Sequence, residues 1–400
     1  MEVYHTKSEI LESFNILKKY CEKRNYKGWD PYDGLNSKLF QATPLKYWYF
    51  TRLAWIQLFK RNPVNLREFF LVPKEYNPKG VGLFLTGYCN LYNTTEELGE
   101  HFGEKIEIKE KIHFLADKLL ELQTPGYSGA CWGYNFDWQN RVFYQPKYTP
   151  TVVATSFCGE ALFKAYEITK ENRYLDCALS ACNFITNDLN RSKYGKEGFI
   201  FSYSPLDQTK VYNASLLGAK LLAIGYSYSD NHEWLKLSVN ATRTIVNKQA
   251  LDGSWIYGED KVQGWIDSFH TGFNLECIQK VMDYTGTDDF QLSFDKGLKF
   301  YLDNFFLNDG TPKYYHNKTY PIDIHSPAQL IATLSTSDLM DEHEELANKV
   351  LNWTISNIQD EKGYFYYQLK KGISSKIPYM RWAQAWMFYT FTEYFKSLDT

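Results

Sequence analysis

Two histidines occupy matching positions in the sequence, each at the start of a predicted helix. His270 begins HTGFNL and His325 begins HSPAQL, and Arg381 and Asn213 take the equivalent places in the following and preceding repeats. Histidine can give or take a proton near neutral pH, and arginine can neutralise a carboxylate or phosphate. The pattern therefore predicts acid–base chemistry on an anionic substrate, in which Tyr257 or Tyr315 can take over one proton transfer. The alternative is that each histidine is only a helix cap or a buried hydrogen-bonded group.

Carboxylates form a second set of catalytic candidates. Glu259 and Asp260 end the loop GSWIYGED, where no capping role explains them. A glycosidase needs an acid and a second carboxylate across its cleft, and Asp137 with Glu259 or Asp260 would supply that pair. Asp267 and Asp323 precede the two histidines, and we predict that they cap the helices or orient the imidazoles.

The aromatic content points to a sugar ligand. The chain has 32 Tyr, 27 Phe and 11 Trp, which make 18% of its residues. Aromatic faces stack on the C–H faces of sugar rings, and phenol and amide groups bond the hydroxyls. The alternative is that about half of these rings only pack loops onto helix ends. The predicted substrate-binding residues are Trp132, Tyr134, Asp137, Trp138, Arg141, Tyr203, Asn213, Trp255, Tyr315, Tyr366 and Trp382.

A repeat positions these residues. From about residue 120, an amphipathic helix, a loop of glycine and aromatic residues, and a helix of small and apolar residues follow one another several times. Gly198, Gly253, Gly310 and Gly363 open successive loops at intervals of 53 to 57 residues. The pattern predicts outer helices at 104–122, 172–189, 232–248, 288–306 and 341–357, and inner helices that begin near 148, 211, 267, 323 and 379, with an earlier one in 80–92.

These elements predict an all-α fold, an (α/α)6 toroid of helical hairpins with an N-terminal helical extension. We expect residues 1–400 to form one domain, in which the extension, residues 1–75, packs on the ring and closes it. The sixth outer helix comes from residues 7–24, from 44–60, or from both. A ring of seven hairpins and an open solenoid are the alternatives.

Composition narrows the choice of partners and cofactors. The net charge of −3 and the lack of a long Lys/Arg block argue against nucleic acid. The sequence has no run of about 18 apolar residues, so we predict no membrane span. The N-terminus is polar, and we do not expect it to be a signal peptide. Seven scattered cysteines predict reduced thiols in a cytoplasmic protein. Since no metal-binding or cofactor motif is found, we predict neither a metal nor a cofactor.

Three segments carry a resemblance to a known family: GWDPYDGLNS (28–37), YSGACWGYNFDWQ (127–139) and DSFHTGFNLE (267–276). They resemble toroid proteins associated with bacterial capsule and exopolysaccharide biosynthesis, over most of the chain. That family is distantly similar to N-acylglucosamine 2-epimerases, glucuronyl C5-epimerases, unsaturated glucuronyl hydrolases and polysaccharide lyases. The resemblance implies a saccharide substrate and a place in polysaccharide assembly, with other polysaccharide-synthesis proteins as partners, but it does not fix the reaction.

We therefore expect an enzyme that epimerises an anionic sugar or glycan, or eliminates from it. The alternatives are a glycoside hydrolase, a non-catalytic glycan-binding protein of a polysaccharide synthesis complex, and an isoprenoid-handling toroid. The spacing of Gln249, Gly253 and Trp255, which is found in triterpene cyclase toroids, is the feature that favours the last of these.

Overall fold

The computed structural model describes residues 6–94, 99, 101–139 and 144–398. Most of this part of the chain is helical, and its short strands all lie in loops. In chain order the helices are α1 (Lys7–Glu22), α2 (Lys38–Gln41), α3 (Tyr49–Arg61), α4 (Pro78–Asn93), α5 (Lys105–Glu121), α6 (Val152–Thr169), α7 (Asn172–Asn187), α8 (Tyr212–Ser229), α9 (His232–Val246), α10 (Ser268–Thr285), α11 (Gln291–Phe305), α12 (His325–Thr336), α13 (Glu344–Ile358) and α14 (Ala385–Ser397).

Six of these helices form a closed inner ring. In the order α4, α6, α8, α10, α12 and α14, each helix contacts the next, and α14 returns to contact α4. These helices are buried on nearly every face, and every residue from Tyr212 to Gly225 of α8 is buried. That pattern is expected of a helix held between an outer layer and a filled centre. The prediction of an (α/α)6 toroid is confirmed, and because six inner helices already close the ring, a seventh hairpin has no place in it.

The outer layer consists of α1, α5, α7, α9, α11 and α13. Helix α9 illustrates why it lies outside: its buried residues, among them Trp234, Ala241 and Ile245, fall three, four or seven positions apart on a single stripe. Its Asn231 cap accepts hydrogen bonds from the first backbone amides. Burial of the single stripe leaves the polar face of each outer helix to solvent.

Each hairpin joins the next through a loop glycine. Gly253 has φ +91°, and a Cβ built there would lie 2.3 Å from a carbonyl oxygen of α11. Gly310 has φ +84°, and a Cβ built there would lie 2.5 Å from a carbonyl oxygen of α13. Gly363 has φ +90°, and a Cβ built there would lie 2.8 Å from a carbonyl oxygen of α1. Helix α1 therefore occupies the sixth outer position and joins the last hairpin to the first.

A glutamine beside each of two loop glycines makes the same contacts with the next outer helix. Gln249 Nε2 donates to the Ser293 carbonyl at 2.9 Å, and the Ser293 hydroxyl donates back to Oε1 at 2.7 Å. Gln359 makes the matching pair with Ser13 of α1, at 3.0 and 2.6 Å. The Gln-x3-Gly-x-Trp spacing is thus accounted for as a junction between hairpins, which removes the reason to connect it with isoprenoid chemistry.

Residues 44–60 do not supply an outer helix. They form a 3₁₀ turn, Pro44–Tyr47, and most of α3, and Leu53, Ile56 and Gln57 of α3 line a cavity at the mouth of the ring. The segment around them is fixed by buried ion pairs, with Arg67 Nε bound to Asp33 at 2.7 Å. Of the sources considered for the sixth outer helix, residues 7–24 supply it as α1, and residues 44–60 do not.

Three small antiparallel sheets, which the sequence pattern did not predict, stiffen the loops. Strand β1 (Trp138–Gln139) pairs with β2 (Tyr144–Gln145), β3 (Arg191–Tyr194) with β4 (Gly198–Phe201), and β5 (Ile322–Asp323) with β6 (Gln368–Leu369). The last pair joins two successive loops and places Asp323 directly before α12. All seven cysteines are free thiols. No described helix has the length and apolar character needed to cross a lipid bilayer.

The loop glycines predict a graded effect on stability. Gly253→Ala adds both a strained positive φ and a contact 2.3 Å from the Lys296 carbonyl, so we expect a loss of about 2–4 kcal/mol. Gly126→Ala adds only the strain, since its φ is +91° with open space around it, and should cost about 1 kcal/mol. Gly264→Ala adds neither and should change stability by less than about 0.5 kcal/mol. Urea unfolding checks the order, and equal losses for the first two variants would contradict the close junction.

Candidate active site

An aromatic cavity of about 430 Å³ opens at the mouth of the ring. Its walls come from the N-terminal ends of inner helices, from the loops that precede them and from α3. The aromatic residues of its wall are Tyr32, Tyr134, Phe136, Trp138, Tyr203, Tyr257, Trp265, Phe269, Phe273, Tyr314, Tyr315 and Trp382. A pocket of this size and lining suits one or two sugar rings.

Both predicted histidines line this cavity. His270 stands in the first turn of α10, where Asp267 caps the helix by accepting the His270 backbone amide at 3.0 Å. The other oxygen of the same carboxylate lies 2.7 Å from His270 Nδ1 and accepts the Trp265 indole N–H at 2.8 Å. When the Nδ1–H group donates a hydrogen bond to this carboxylate, Nε2 is left as the basic nitrogen. The prediction that Asp267 caps the helix and orients the imidazole is confirmed.

His325 repeats the arrangement on α12. Asp323 Oδ1 accepts the His325 backbone amide at 3.1 Å, lies 3.3 Å from its Nδ1 and accepts the Trp382 indole N–H at 3.0 Å. Gln368 donates to the second oxygen at 3.2 Å. His325 is far more buried than His270, with side-chain exposures of 2% and 19%. Burial lowers the pKa of His325 to about 4, so its imidazole is neutral at neutral pH.

The ring of Phe269 contacts both imidazoles. Its centroid lies 4.0 Å from that of His270 and 5.0 Å from that of His325. Tyr257 packs on His270 at 4.5 Å and stacks on Trp265 at 4.6 Å. Burial raises the pKa of Tyr257 above its ordinary value, so its phenol stays protonated and is a proton donor rather than a base.

Arg381 also lines the cavity, but its charge is already paired. Its Nε lies 2.5 Å and its Nη2 2.9 Å from the two oxygens of Asp30. Asp30 belongs to the GWDPYDGLNS segment, and the backbone amide of Met380 donates to the Trp29 carbonyl at 3.0 Å beside it. The pair fixes the N-terminal segment to the π-helical turn Met380–Gln384, which leads into α14. The contacts of Arg381 therefore do not favour its predicted role of neutralising a substrate anion.

The candidate carboxylates lie elsewhere. Glu259 accepts hydrogen bonds from Tyr194 and Tyr212 and pairs with Lys248 at 3.0 Å, outside the cavity wall. Asp260 is exposed to solvent. Asp137 accepts the backbone amide of Lys147 at 2.8 Å and does not line the cavity either. Among the described residues that form the wall, none is Asp or Glu.

Three aromatic residues predicted to bind substrate have structural contacts instead. The Trp132 indole donates to the Leu119 carbonyl at 2.8 Å, and the Trp255 indole donates to the Ile245 carbonyl at 3.1 Å. Each indole thus satisfies a carbonyl at the end of an outer helix, which is the packing alternative left open above. Tyr366 donates to Asp360 at 3.0 Å, away from the cavity. Arg141, the remaining member of that set, lies outside the described residues.

The structure thus brings most of the remaining predicted residues together. Tyr134 and Tyr203 face each other with their hydroxyls 3.2 Å apart, and Asn213 contributes an Oδ1 without a hydrogen-bond partner among the described residues. The predicted residues found in the cavity wall are Tyr134, Trp138, Tyr203, Asn213, Tyr257, His270, Tyr315, His325, Arg381 and Trp382. The described residues contain no cluster of three or more His, Cys, Asp or Glu that would hold a metal ion.

Sequence analysis missed several residues of the wall. Lys79 stands in the first turn of α4, and Lys60 and Gln57 come from α3. Helix α4 is not preceded by a glycine-aromatic loop, so the repeat that singled out the other inner helices gave no register for Lys79. A lysine beside Pro78 at the start of an otherwise apolar inner helix is the signal that would have found it.

Comparison with known proteins finds the same architecture at low sequence identity. No protein-family model matches the sequence, and no curated protein matches it. Cellobiose 2-epimerase from Bacillus thermoamylovorans matches with a TM-score of 0.62 at 12% identity, over 97% of this chain and 100% of that chain. An α-mannanase from Bacteroides thetaiotaomicron gives 0.60 at 13% identity, over 82% and 88%. An unsaturated glucuronyl hydrolase specific for heparin gives 0.59 at 11% identity, over 97% of both chains.

The chain is an (α/α)6 toroid. At these identities the likeness shows the fold, which this chain has in common with an epimerase, a mannanase and a glucuronyl hydrolase that act on carbohydrates. Since these neighbours catalyse different reactions on one architecture, the choice of reaction must come from the residues of the cavity.

The low pKa of His325 predicts a pH-dependent stability. Below about pH 6.5 the unfolded chain binds a proton at residue 325, whereas the folded chain does so only near pH 4. The free energy of unfolding should therefore fall as the pH drops through this window, by at most about 3 kcal/mol from this group. Urea unfolding of His325→Asn should show a shallower fall than the wild type. His232→Asn, at an exposed histidine, is the control, and an identical slope in His325→Asn would contradict the assignment.

Proposed function

We propose that this protein is an enzyme that moves a proton at a carbon atom of an anionic sugar or glycan, by epimerisation or by elimination. One observation carries the proposal: His270 and His325 face a single aromatic cavity, and each has its Nδ1 beside a buried carboxylate. Two bases at one cavity are what an epimerisation needs, because a proton leaves one face of the carbon and returns to the other.

The two histidines suit different parts of this reaction. His325, neutral and almost completely buried, is ready to accept a proton through Nε2. His270 is more accessible, so it can exchange its proton with solvent or deliver one to the product. Asp267 and Asp323 stay behind the imidazoles, where they stabilise the imidazolium that forms and hold the ring orientation. The Tyr257 phenol, packed on His270, is a donor for a sugar oxygen that gains negative charge.

The aromatic wall fits a sugar ring as the substrate. Tyr134, Trp138 and Tyr203 offer faces for stacking and phenol groups for hydroxyls. Asn213 Oδ1, a buried acceptor without a partner among the described residues, would gain a hydrogen bond from a ligand hydroxyl. The solved epimerase and glucuronyl hydrolase of the same fold support sugar chemistry in such a cavity. The resemblance to capsule-associated toroids favours a substrate from bacterial polysaccharide biosynthesis.

Glycoside hydrolysis, the alternative represented by the solved mannanase, receives less support. A glycosidase places two carboxyl groups about 5–10 Å apart across the scissile bond. The described residues of the cavity wall include no carboxyl group, and Glu259 is held outside the cavity by Lys248 and two tyrosines. A glycan-binding protein without activity remains the other alternative, and the exchange experiment below separates it from an enzyme.

Hydrogen exchange with solvent tests the proposal. In D₂O, the wild type should introduce deuterium at a carbon-bound position of a substrate drawn from a panel of uronic acids and reducing sugars, as followed by NMR. His270→Gln and His325→Gln should each slow this exchange by about 100-fold or more, because each removes a group that transfers the proton.

Glu259→Gln provides the reciprocal control. Its carboxylate lies outside the cavity, so exchange should continue at the wild-type rate. Cleavage of a glycosidic bond that depends on Glu259 and survives both histidine changes would establish hydrolysis instead. If the wild type binds a saccharide but shows no turnover, the protein is a binding protein.

A further inference from the structure

A buried lysine forms part of the cavity floor. Lys79 is the second residue of α4, after Pro78, and only 4% of its surface is exposed. Its Nζ lies 4.2 Å from the ring centre of Phe157 and 5.2 Å from those of Phe273 and Trp386. These rings belong to α6, α10 and α14, so the amine reaches the place where four inner helices converge.

The Lys79 amine has no anionic partner in the part of the chain that the structure describes. Among the described residues, no hydrogen bond or ion pair of the side chain is found, only the three aromatic faces. The contrast with Lys220, an equally buried lysine of α8, is direct. Lys220 Nζ lies 2.7 Å from Glu160 and 2.9 Å from Glu276. The ring therefore neutralises one interior lysine with two carboxylates and leaves the one at the cavity without any.

The charged groups that face Lys79 do not replace a partner. Arg381 is the cation that most disfavours the charged form of Lys79, and Asp30, which favours that form, is bound to Arg381 through both oxygens. His325 contacts the same Trp386 ring and is neutral. Burial, followed by the repulsion from Arg381, holds the pKa of Lys79 well below its ordinary value.

The remaining charges lie deeper in the ring. Glu276 favours the protonated form of Lys79, and Lys220 opposes it. Since Lys220 is bound to Glu276 at 2.9 Å, the two effects largely offset each other at the cavity floor. An amine in this setting gains most from an anion that comes from outside the protein.

We propose that Lys79 is the anion-binding residue of the cavity and that it receives the carboxylate of a uronic acid, taking up one proton from solvent as the ligand enters. The neutral amine and the proton become an ammonium ion, which pairs with the carboxylate; no bond to carbon forms or breaks in this step. The inference deepens the proposed function by naming the substrate class, and it rests on that function for the identity of the ligand as a sugar.

The surroundings of the amine favour a carboxylate over a phosphate or sulfate. Three of its sides are aromatic faces, which donate no hydrogen bond, and the one ring N–H among them is the Trp386 indole, which has no partner among the described residues. The floor can therefore satisfy few anionic oxygens. The position also places the amine near a candidate base. Lys79 Nζ and the His325 ring lie 5.2 and 5.1 Å from the same Trp386 ring centre, and both line the one cavity.

Calorimetry with simple sugars tests the binding. The wild type is titrated with D-glucuronate, D-galacturonate and D-mannuronate, each against the corresponding neutral hexose. At least one uronate should bind better than its hexose, and Lys79→Met should weaken that uronate by about 10- to 100-fold while leaving the hexose unchanged. Absence of binding to all three uronates, or equal affinity in the wild type and Lys79→Met, overturns the proposal.

Proton uptake supplies a readout that a purely structural lysine would not move. Repeating the titration in buffers of different ionisation enthalpy should show uptake of up to one proton per uronate bound, because the bound carboxylate favours the ammonium form. Lys79→Met should abolish it. Binding without uptake at every pH would mean that the amine is already charged or is not the receptor.

Thermal unfolding without ligand gives a second, independent measurement. Lys79→Met replaces an unpartnered buried amine with an apolar chain of similar length and should raise the melting temperature, by about 2 °C or more. Lys220→Met, the matched change, strands two carboxylates and should lower it. A lower melting temperature in both variants would make Lys79 a structural residue.

These experiments distinguish a failure of the proposed role of Lys79 in binding from a failure of the proposed enzymatic function. His270→Gln and His325→Gln should keep the uronate affinity of the wild type within a few-fold, because neither side chain receives the carboxylate. Deuterium exchange that depends on the histidines but is unaffected by Lys79→Met would retain the proposed function and discard the role of Lys79.

Discussion

The rest of the structure depends on closure of the ring. Six hairpins can bury their inner helices only if the last one packs against the first, and here that junction is made by the loop of Gly363 on α1. A side chain at this glycine, or at Gly253, would meet the backbone of the next outer helix. Closure therefore fixes the inner helices in register and brings their N-terminal ends, with the loops before them, to one mouth. The candidate active-site groups lie there, where residues of several repeats line one cavity.

Closure also decides which polar groups the ring can hold. The start of an inner helix has unsatisfied backbone amides, and an aspartate before it satisfies them. Asp267 and Asp323 meet this local need and, with their second interactions, hold the Nδ1 side of His270 and His325. In both repeats the carboxylate that accepts a backbone amide at the start of the helix also lies beside the histidine Nδ1, and Asp267 is in addition the cap of its helix. Under the proposed function, a repeated structural motif thereby supplies a pair of proton-transfer groups.

Much of this was predictable from the sequence, and the failures have physical causes. The glycine-aromatic loops gave the repeat, and hydrophobic periodicity placed the helices of the later hairpins within a few residues, because both signals are local. The choice between core and cavity for each aromatic residue is not local: Trp132 and Trp138 stand six residues apart in one loop, yet the first caps a helix and the second lines the cavity. The partners of Arg381 and Glu259 come from distant or differently folded segments, Asp30 and Tyr194, and no spacing in the sequence indicates them.

The exchange of roles between Arg381 and Lys79 follows from the chemistry of their charges. A guanidinium cannot lose its proton in a protein, so a buried arginine needs a permanent counter-ion, and Asp30 provides it. An amine can discharge when it is buried and regain its proton when an anion arrives. Of the two buried cations in the cavity wall, the arginine is therefore suited to hold the N-terminal segment on the ring, and the lysine is suited to respond to a ligand. Residue type alone favoured the arginine as the anion receptor, whereas the availability of a resident carboxylate reverses that choice.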